Sequence, residues 1–313
     1  MLKSQASNWT YSDRPCPFPA ADVPHLSRWC ERSHTFRALS RALGKALHIH
    51  DFQAARDRYI ILSDLHKGSR HPKIDDFQRN DPIFGAALRY YLDQDYRLVL
   101  NGDIEEGWKA SYDRILAAYE DTAYAMERAF AAQGQRYFRT YGNHDDDWSD
   151  PRKVDRFLKP MLGPIKVHPA IILGNRIVIA HGHQGNWNSD RGAWLSQRVV
   201  RHLWRPVQRL TGLQQSSCPS ENHTVIMPRD EHLSAWARAN HLLLIAGHTH
   251  RPMFNSEYDA VFSTHYINDG CCVHDGAITG LELDQGEIRL VKWDSHCRTV
   301  LKSADLGALL AGL

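Results

Sequence analysis

Five separate apolar runs in this chain stop at polar groups of the same chemical kind. "RYIILSDLH" ends in Asp64 and His66, "YRLVLNGD" in Asp103, "QRYFRTYGNHD" in Asn143, His144 and Asp145, "IVIAHGH" in His181 and His183, and "HLLLIAGHTH" in His248 and His250. Each run reads as a strand covered on both faces. The early runs alternate with helical stretches, as parallel crossovers require. Ligand sites in such sheets lie beyond the carboxyl ends of the strands. Carboxylates and imidazoles gathered there repel or stay unsatisfied unless cations join them. Mixed Asp, Asn and His donors suit divalent metals. Seven candidate ligands (Asp64, His66, Asp103, Asn143, His181, His248 and His250) exceed one coordination sphere of about four to six. The expectation is two metal ions, with Asp103 the natural bridge. The glycines before these groups are expected to let the backbone turn sharply at the strand ends.

The rest of the chain fills in an α/β protein. Phe36, Leu39, Leu43 and Leu47 recur at helical spacing, predicting a helix over 25–47 ahead of the first strand. Further helices are predicted over 83–93 and 111–133. "IKVHPAIILGNRIVIAHGH" reads as two strands around Gly174-Asn175, and Gln285-Gly286 marks a late hairpin. The expected organisation is an arm and helix over 1–57, then a main domain over 58–313 that carries a helical cap insertion at 186–238.

Inside that insertion, "RGAWLSQRVVRHLWRPVQRL" divides on a helical wheel. Leu195, Val199, Val200, Leu203, Trp204, Val207 and Leu210 share one half, and Arg191, Arg198, Arg201, Arg205 and Arg209 the other. Two readings stand: a helix that covers the core and keeps its charge in water, or a cap whose arginines, with Trp187 and Trp194, meet an anionic substrate or lipid surface. On the second reading Arg191, Trp194, Arg198 and Arg201 contact substrate.

Composition narrows the partners. A net charge of +2 over 313 residues lacks the single-sign excess of a nucleic-acid-coating protein, so no stable nucleic-acid partner is expected. The six cysteines form no CxxC pair, which fits free thiols in a reducing compartment. No stretch of about 18 apolar residues and no leader-like start is present, so a cytoplasmic protein is expected, with peripheral membrane contact through the cap at the inner face.

The order D-x-H, GD, GNHD, HGH, GHTH, from Ile60 to His250, resembles the calcineurin-like metallophosphoesterase superfamily. The resemblance implies a four-layer α/β/β/α sandwich with a dinuclear centre. It implies that one metal is held by Asp64, His66, Asp103 and His250, and the other by Asp103, Asn143, His181 and His248. Within the superfamily, "SDLH", "GDIEEGW" and "GHTH" look most like the UDP-2,3-diacylglucosamine pyrophosphatases, whose second motif Glu106 and Trp108 match. This chain has His144 where those enzymes carry Arg, and His183 where they carry Asp. The protein phosphatase branch needs an Arg soon after GD, and "GDIEEGW" has none.

The chemistry expected of such a centre is hydrolysis by a water shared between two cations roughly 3.5 Å apart, with no covalent nucleophile on the chain. His144, next to the ligand Asn143, is expected to point into the cleft and stabilise or protonate the leaving oxygen, with Asp145 orienting it. His183 is read as a support of the metal shell, a substrate contact or a loop residue. Manganese is the favoured metal, with iron or zinc alternatives. The substrate expected is a small anionic phosphodiester or diphosphate, nucleotide-linked or lipid-linked. A nuclease or cyclic nucleotide phosphodiesterase, and a non-catalytic binding scaffold, are the competing readings.

Overall fold

A computed structural model describes residues 24–72, 75–185, 223–254 and 265–313. Two sheets lie face to face, each covered on its outer side by helices. In chain order the elements are α1 (Pro24–Leu43), β1 (Leu47–Ile49), β2 (Arg58–Leu62), α2 (Asp81–Asp93), β3 (Arg97–Asn101), α3 (Tyr112–Tyr119), α4 (Ala123–Ala131) and β4 (Tyr137–Thr140). A run of short helical turns over 146–162 leads to β5 (Ile171–Leu173) and β6 (Ile177–Ile179). Then come α5 (His223–Ala239), β7 (Leu243–Ala246), β8 (Tyr266–Asn268), β9 (Ala277–Asp284), β10 (Glu287–Asp294), β11 (Arg298–Asp305) and α6 (Leu306–Ala311).

One sheet has the order β11-β10-β9-β2-β3-β4, with β2, β3 and β4 parallel, and the other has the order β1-β5-β6-β7-β8. Alternation along the strands decides what each layer buries. Ile60, Leu62, Leu98 and Leu100 face α2, α3 and α4, where they pack with Phe84, Tyr91, Ile115 and Phe130. The alternate residues Tyr59, Ile61 and Val99 meet Ile177, Ile179, Leu243 and Ile245 of the other sheet. Val178, Leu244 and Ala246 then face outward to Phe36 and Leu39 of α1 and to Leu233 and Trp236 of α5. The result is the four-layer α/β/β/α sandwich, with both strand sets delivering their carboxyl ends to one rim.

Several boundaries differ from the sequence expectation. The helix expected over 25–47 ends at Leu43, and Leu47–Ile49 pairs with Ile171–Leu173 as a parallel edge strand too short for a pattern to reveal. The helix expected over 111–133 is two helices, broken at residues 120–122. The last part of the expected cap, 223–238, belongs to α5, and its Leu233, Trp236 and Ala237 are buried against the sheet rather than standing apart. The arm over 1–23 and the arginine-rich stretch fall outside the described residues. Among the described residues no helix is long and apolar enough to cross a membrane, and Cys271, Cys272 and Cys297 are free thiols.

Candidate metal centre

The strand ends converge. Asp64 and His66 follow β2, Asp103 follows β3, His181 follows β6, and His248 and His250 follow β7. Their ligand atoms form three overlapping groups: Asp64 with His66 and His250; Asp103 with His181 and His248; and His66 with Asp103 and His144, the atoms of each group lying within 4.8 Å of one another. Asp64 Oδ1 is 3.0 Å from His250 Nε2, and Asp103 Oδ2 is 3.2 Å from His181 Nε2. The Nε2 atoms of His66 and His250 are 3.3 Å apart, close to the roughly 3.3 Å edge of a tetrahedron built on metal–nitrogen bonds of about 2.0–2.1 Å.

Backbone conformation marks the same residues. Among the described residues nine non-glycine positions have a positive φ, and five of them are Asp64, His66, Asp103, His248 and His250. Left-handed backbone at a residue with a Cβ is unfavourable and persists where the surroundings over-determine it, as at functional sites. The ligands themselves thus carry much of the turn that was expected of the glycines. Gly142 and Gly247 do something else, since neither has a positive φ. A Cβ on Gly142 would sit 2.1 Å from Asp103 Oδ1, and one on Gly247 would sit 2.3 Å from Asp64 Oδ2. They leave room for the two carboxylates.

The polar atoms are incompletely partnered in a way that fits cations. Asp64 Oδ1, Asn143 Oδ1 and His181 Nε2 are buried without a hydrogen bond. His181 Nδ1 lies 2.8 Å from the Asn101 carbonyl, so that nitrogen carries its proton and the Nε2 lone pair faces Asp103. Two acceptors so placed repel unless a positive charge, proton or metal, lies between them. Burial opposes a charge on His181, but Asp103 and Asp64 outweigh it and raise the imidazole to about 9. Burial would likewise push Asp64 up, yet His250 and His181 hold its carboxyl well below the usual range. The donor set, with its unpartnered atoms, fits divalent metals.

Around this core the structure departs from expectation at Asp145. Its carboxylate does not reach His144. It accepts from the backbone amides of Gly142 at 2.7 Å and Ile104 at 2.8 Å, clamping two strand ends together. Residues 144 and 145 point to opposite sides of the turned chain, so the carboxylate beside the histidine faces the interior. Glu106 takes the expected role: His144 Nδ1 is 2.8 Å from Glu106 Oε1, and His66 Nδ1 is 3.3 Å from Oε2. The Trp108 ring stacks on His144 at 4.0 Å and 19°, and its Nε1 donates to the Asn143 carbonyl. The signal is present in "GDIEEGW", where Glu106 and Trp108 match the second motif of the resembling pyrophosphatases. Asn268 holds another strand end, donating to the Gly247 carbonyl at 2.8 Å.

His183 is in none of the three groups. It is buried, its ring 5.4 Å from that of His181 and 6.5 Å from that of His248. Burial, reinforced by His181, lowers its imidazole to about 3, so it is neutral. Arg191, Trp194, Arg198 and Arg201 lie outside the described residues.

The clustered carboxylates and imidazoles at the strand ends of a double-sheet sandwich define a candidate metal-binding site. A sequence model described as calcineurin-like phosphoesterase matches residues 58–252, more than half of the chain. The chain belongs to the calcineurin-like phosphoesterase family. Among solved structures it is similar to the 5'-nucleotidase from Candida albicans at 13% identity and a TM-score of 0.29, over 76% of this chain and 48% of that one. This chain therefore spans about half the length of that protein. No curated protein matches the sequence.

Proposed function

We propose that this protein hydrolyses a phosphodiester or diphosphate bond in a small nucleotide-linked or lipid-linked molecule. The observation that carries the reading is the set of buried, unpartnered donors Asp64 Oδ1, Asn143 Oδ1 and His181 Nε2 beside Asp103. Asp64, His66, Asp103 and His250 would hold one divalent ion, and Asp103, Asn143, His181 and His248 a second, manganese being the first choice with iron or zinc as substitutes. Bound there, the ions supply an activated water and neutralise phosphate charge.

The chain's own groups do the rest. Glu106 fixes the His144 ring through Nδ1, and the Trp108 face holds its plane, leaving Nε2 for the leaving oxygen. Asp145 keeps the turns after β3 and β4 in register, so that Asp103 and Asn143 stay together. A preference for diesters and diphosphates, as in the UDP-2,3-diacylglucosamine pyrophosphatases, rests on the "SDLH", "GDIEEGW" and "GHTH" motifs. Cytoplasmic location, with the cap against the inner membrane face, completes the proposal.

The test is hydrolysis by protein loaded with manganese, cobalt or zinc. Release of p-nitrophenol from bis-p-nitrophenyl phosphate, abolished by chelation, is the expected result. Inactivity with every metal towards both this diester and p-nitrophenyl phosphate would overturn it. Cleavage of single-stranded DNA in preference to small diesters would favour the nuclease reading.

A further inference from the structure

Beside the strand-end centre, and reached by its Asn143, lies a cleft of about 460 Å³ whose walls come from two different parts of the chain. Asn143 and His183 form the wall next to the metal centre. The opposite wall is α1 and the turn after it. There His34, Ala38, Arg41, Ala42 and Lys45 line the space, a spacing of four, seven, eight and eleven from the first, which is one face of a helix. The other face of the same helix buries Phe36 and Leu39 in the outer layer. All of α1 precedes residue 58, where the family match begins. This wall is therefore an addition to the residues that the family match covers.

The addition is fixed in position rather than laid over the site. Gly185, two residues beyond His183, passes so close to α1 that a Cβ there would sit 2.3 Å from the Thr35 Cα. Arg229 of α5 donates to Thr35 Oγ1 at 2.9 Å and to the Gly182 carbonyl at 3.0 Å, tying α1 to the loop that carries His181 and His183. Arg41 lies six residues past Thr35, about 9 Å along the helix axis. It is exposed, and its Nε donates to the Arg37 carbonyl at 3.4 Å. Among the described residues neither Arg41 nor Lys45 is paired with a carboxylate, and Asp146 is the one acidic side chain on the cleft wall. The wall that shares this cleft with Asn143 and His183 thus carries two cationic side chains, while the small Ala38 and Ala42 beside them leave volume for a ligand.

Resting on the phosphoesterase reading above, we infer that α1 and the turn after it form a second anion subsite, in which Arg41 and Lys45 bind a further phosphate or carboxylate of the substrate's non-reacting part. The substrate class this selects is a phosphoester with its own distal anionic group, such as a nucleotide bearing a second phosphate. A guanidinium suits such a group because its fork bonds two oxygens together, and a cleft of this size accommodates a nucleoside-sized body.

The test compares two substrates with the same scissile bond and leaving group, the 5'-p-nitrophenyl phosphate ester of thymidine with and without a 3'-phosphate. The manganese-loaded protein is expected to prefer the 3'-phosphorylated compound in kcat/KM, and Arg41→Ala/Lys45→Ala to reduce that preference about fivefold or more, mainly through KM. Ala38→Trp, which fills the cleft, should raise KM for both nucleotides relative to bis-p-nitrophenyl phosphate. No preference in the parent protein, or a preference that survives the double substitution, overturns the subsite. Failure of the parent to hydrolyse any of the three compounds overturns instead the phosphoesterase reading on which the subsite rests.

Discussion

Two clusters of buried charge lie back to back at the strand ends, and they solve the same problem differently. At the rim, Asp64, Asp103, His66, His181 and His250 are crowded, held on left-handed backbone, and left with unpartnered atoms. One residue past His66 and two past Asp103, Lys67 and Glu105 point inward to meet Glu127 and Arg139, all fully buried. There Lys67 Nζ is 2.6 Å from Glu127 Oε1, Arg139 pairs with Glu105, and Tyr124, Trp148 and Tyr137 donate to the same carboxylates. The Lys67 ammonium also lies 3.5 Å over the Tyr124 ring. The deep cluster balances its charge with side chains, and the rim leaves that balance to cations. A buried set whose charges balance costs much to break, although Arg139 Nε and Nη1 there lack hydrogen bonds, whereas at the rim Asp64 Oδ1, Asn143 Oδ1 and His181 Nε2 leave lone pairs for cations.

The comparison can be broken most sharply at Asp103. Asp103→Asn keeps the side-chain shape and should reduce metal-dependent diester hydrolysis at least about 10³-fold, since a bridging charge worth several kcal/mol is lost. The melting of the metal-free protein should move less than in the deep-cluster variant. A variant that retains activity would show that the rim does not hold the catalytic ions. Glu127→Ala is the reverse case. It leaves Lys67 short of its closest carboxylate in a fully buried place and should cost about 3–5 kcal/mol of stability, read by denaturant titration. If it melts like the parent protein, the deep cluster is not the strut described.

Glu106 touches both worlds, holding His66 and His144 from behind. Glu106→Gln should lower turnover about 10–100-fold with little change in melting, as substitutions behind catalytic and metal-binding imidazoles do. An unchanged rate would remove it from the site. The smallest effect is on pH. His181 is raised above its unfolded value to about 9, so its charge stabilises the metal-free fold fully below about 6.5 and that contribution fades as pH rises through 9. Metal must displace the same proton, so apparent metal affinity should rise about tenfold per pH unit for each displaced proton and level off above 9. Affinity flat between pH 7 and 9 in a calorimetric titration would contradict the placement of His181 against Asp103.

What could be read from the linear chain was the kind of site. Apolar runs that break at Asp, Asn and His are local features. Periodicity reports which residues reach a strand end, and five such ends leave few folds open. The two-sheet sandwich was expected only from the family that the motif order resembles, whereas the ligand candidates followed from the strand ends themselves. The short edge strand Leu47–Ile49 and the break in the helix expected over 111–133 did not, because three residues hold no period and tertiary packing sets helix ends.

Folding in three dimensions decided which neighbour serves which partner. Sequence adjacency suggested that Asp145 orients His144, but a turned chain sends successive side chains to opposite sides, and the carboxylate that meets the ring comes from 38 positions away. The same holds for the cleft: α1 announces only that it is amphipathic, and its stripe of Arg41 and Lys45 gains meaning because Gly185 and Arg229 bring it against the loop of His181 and His183. Residue types and spacing fix what chemistry is available along a polymer, while directions in space depend on contacts between segments that no local pattern encodes.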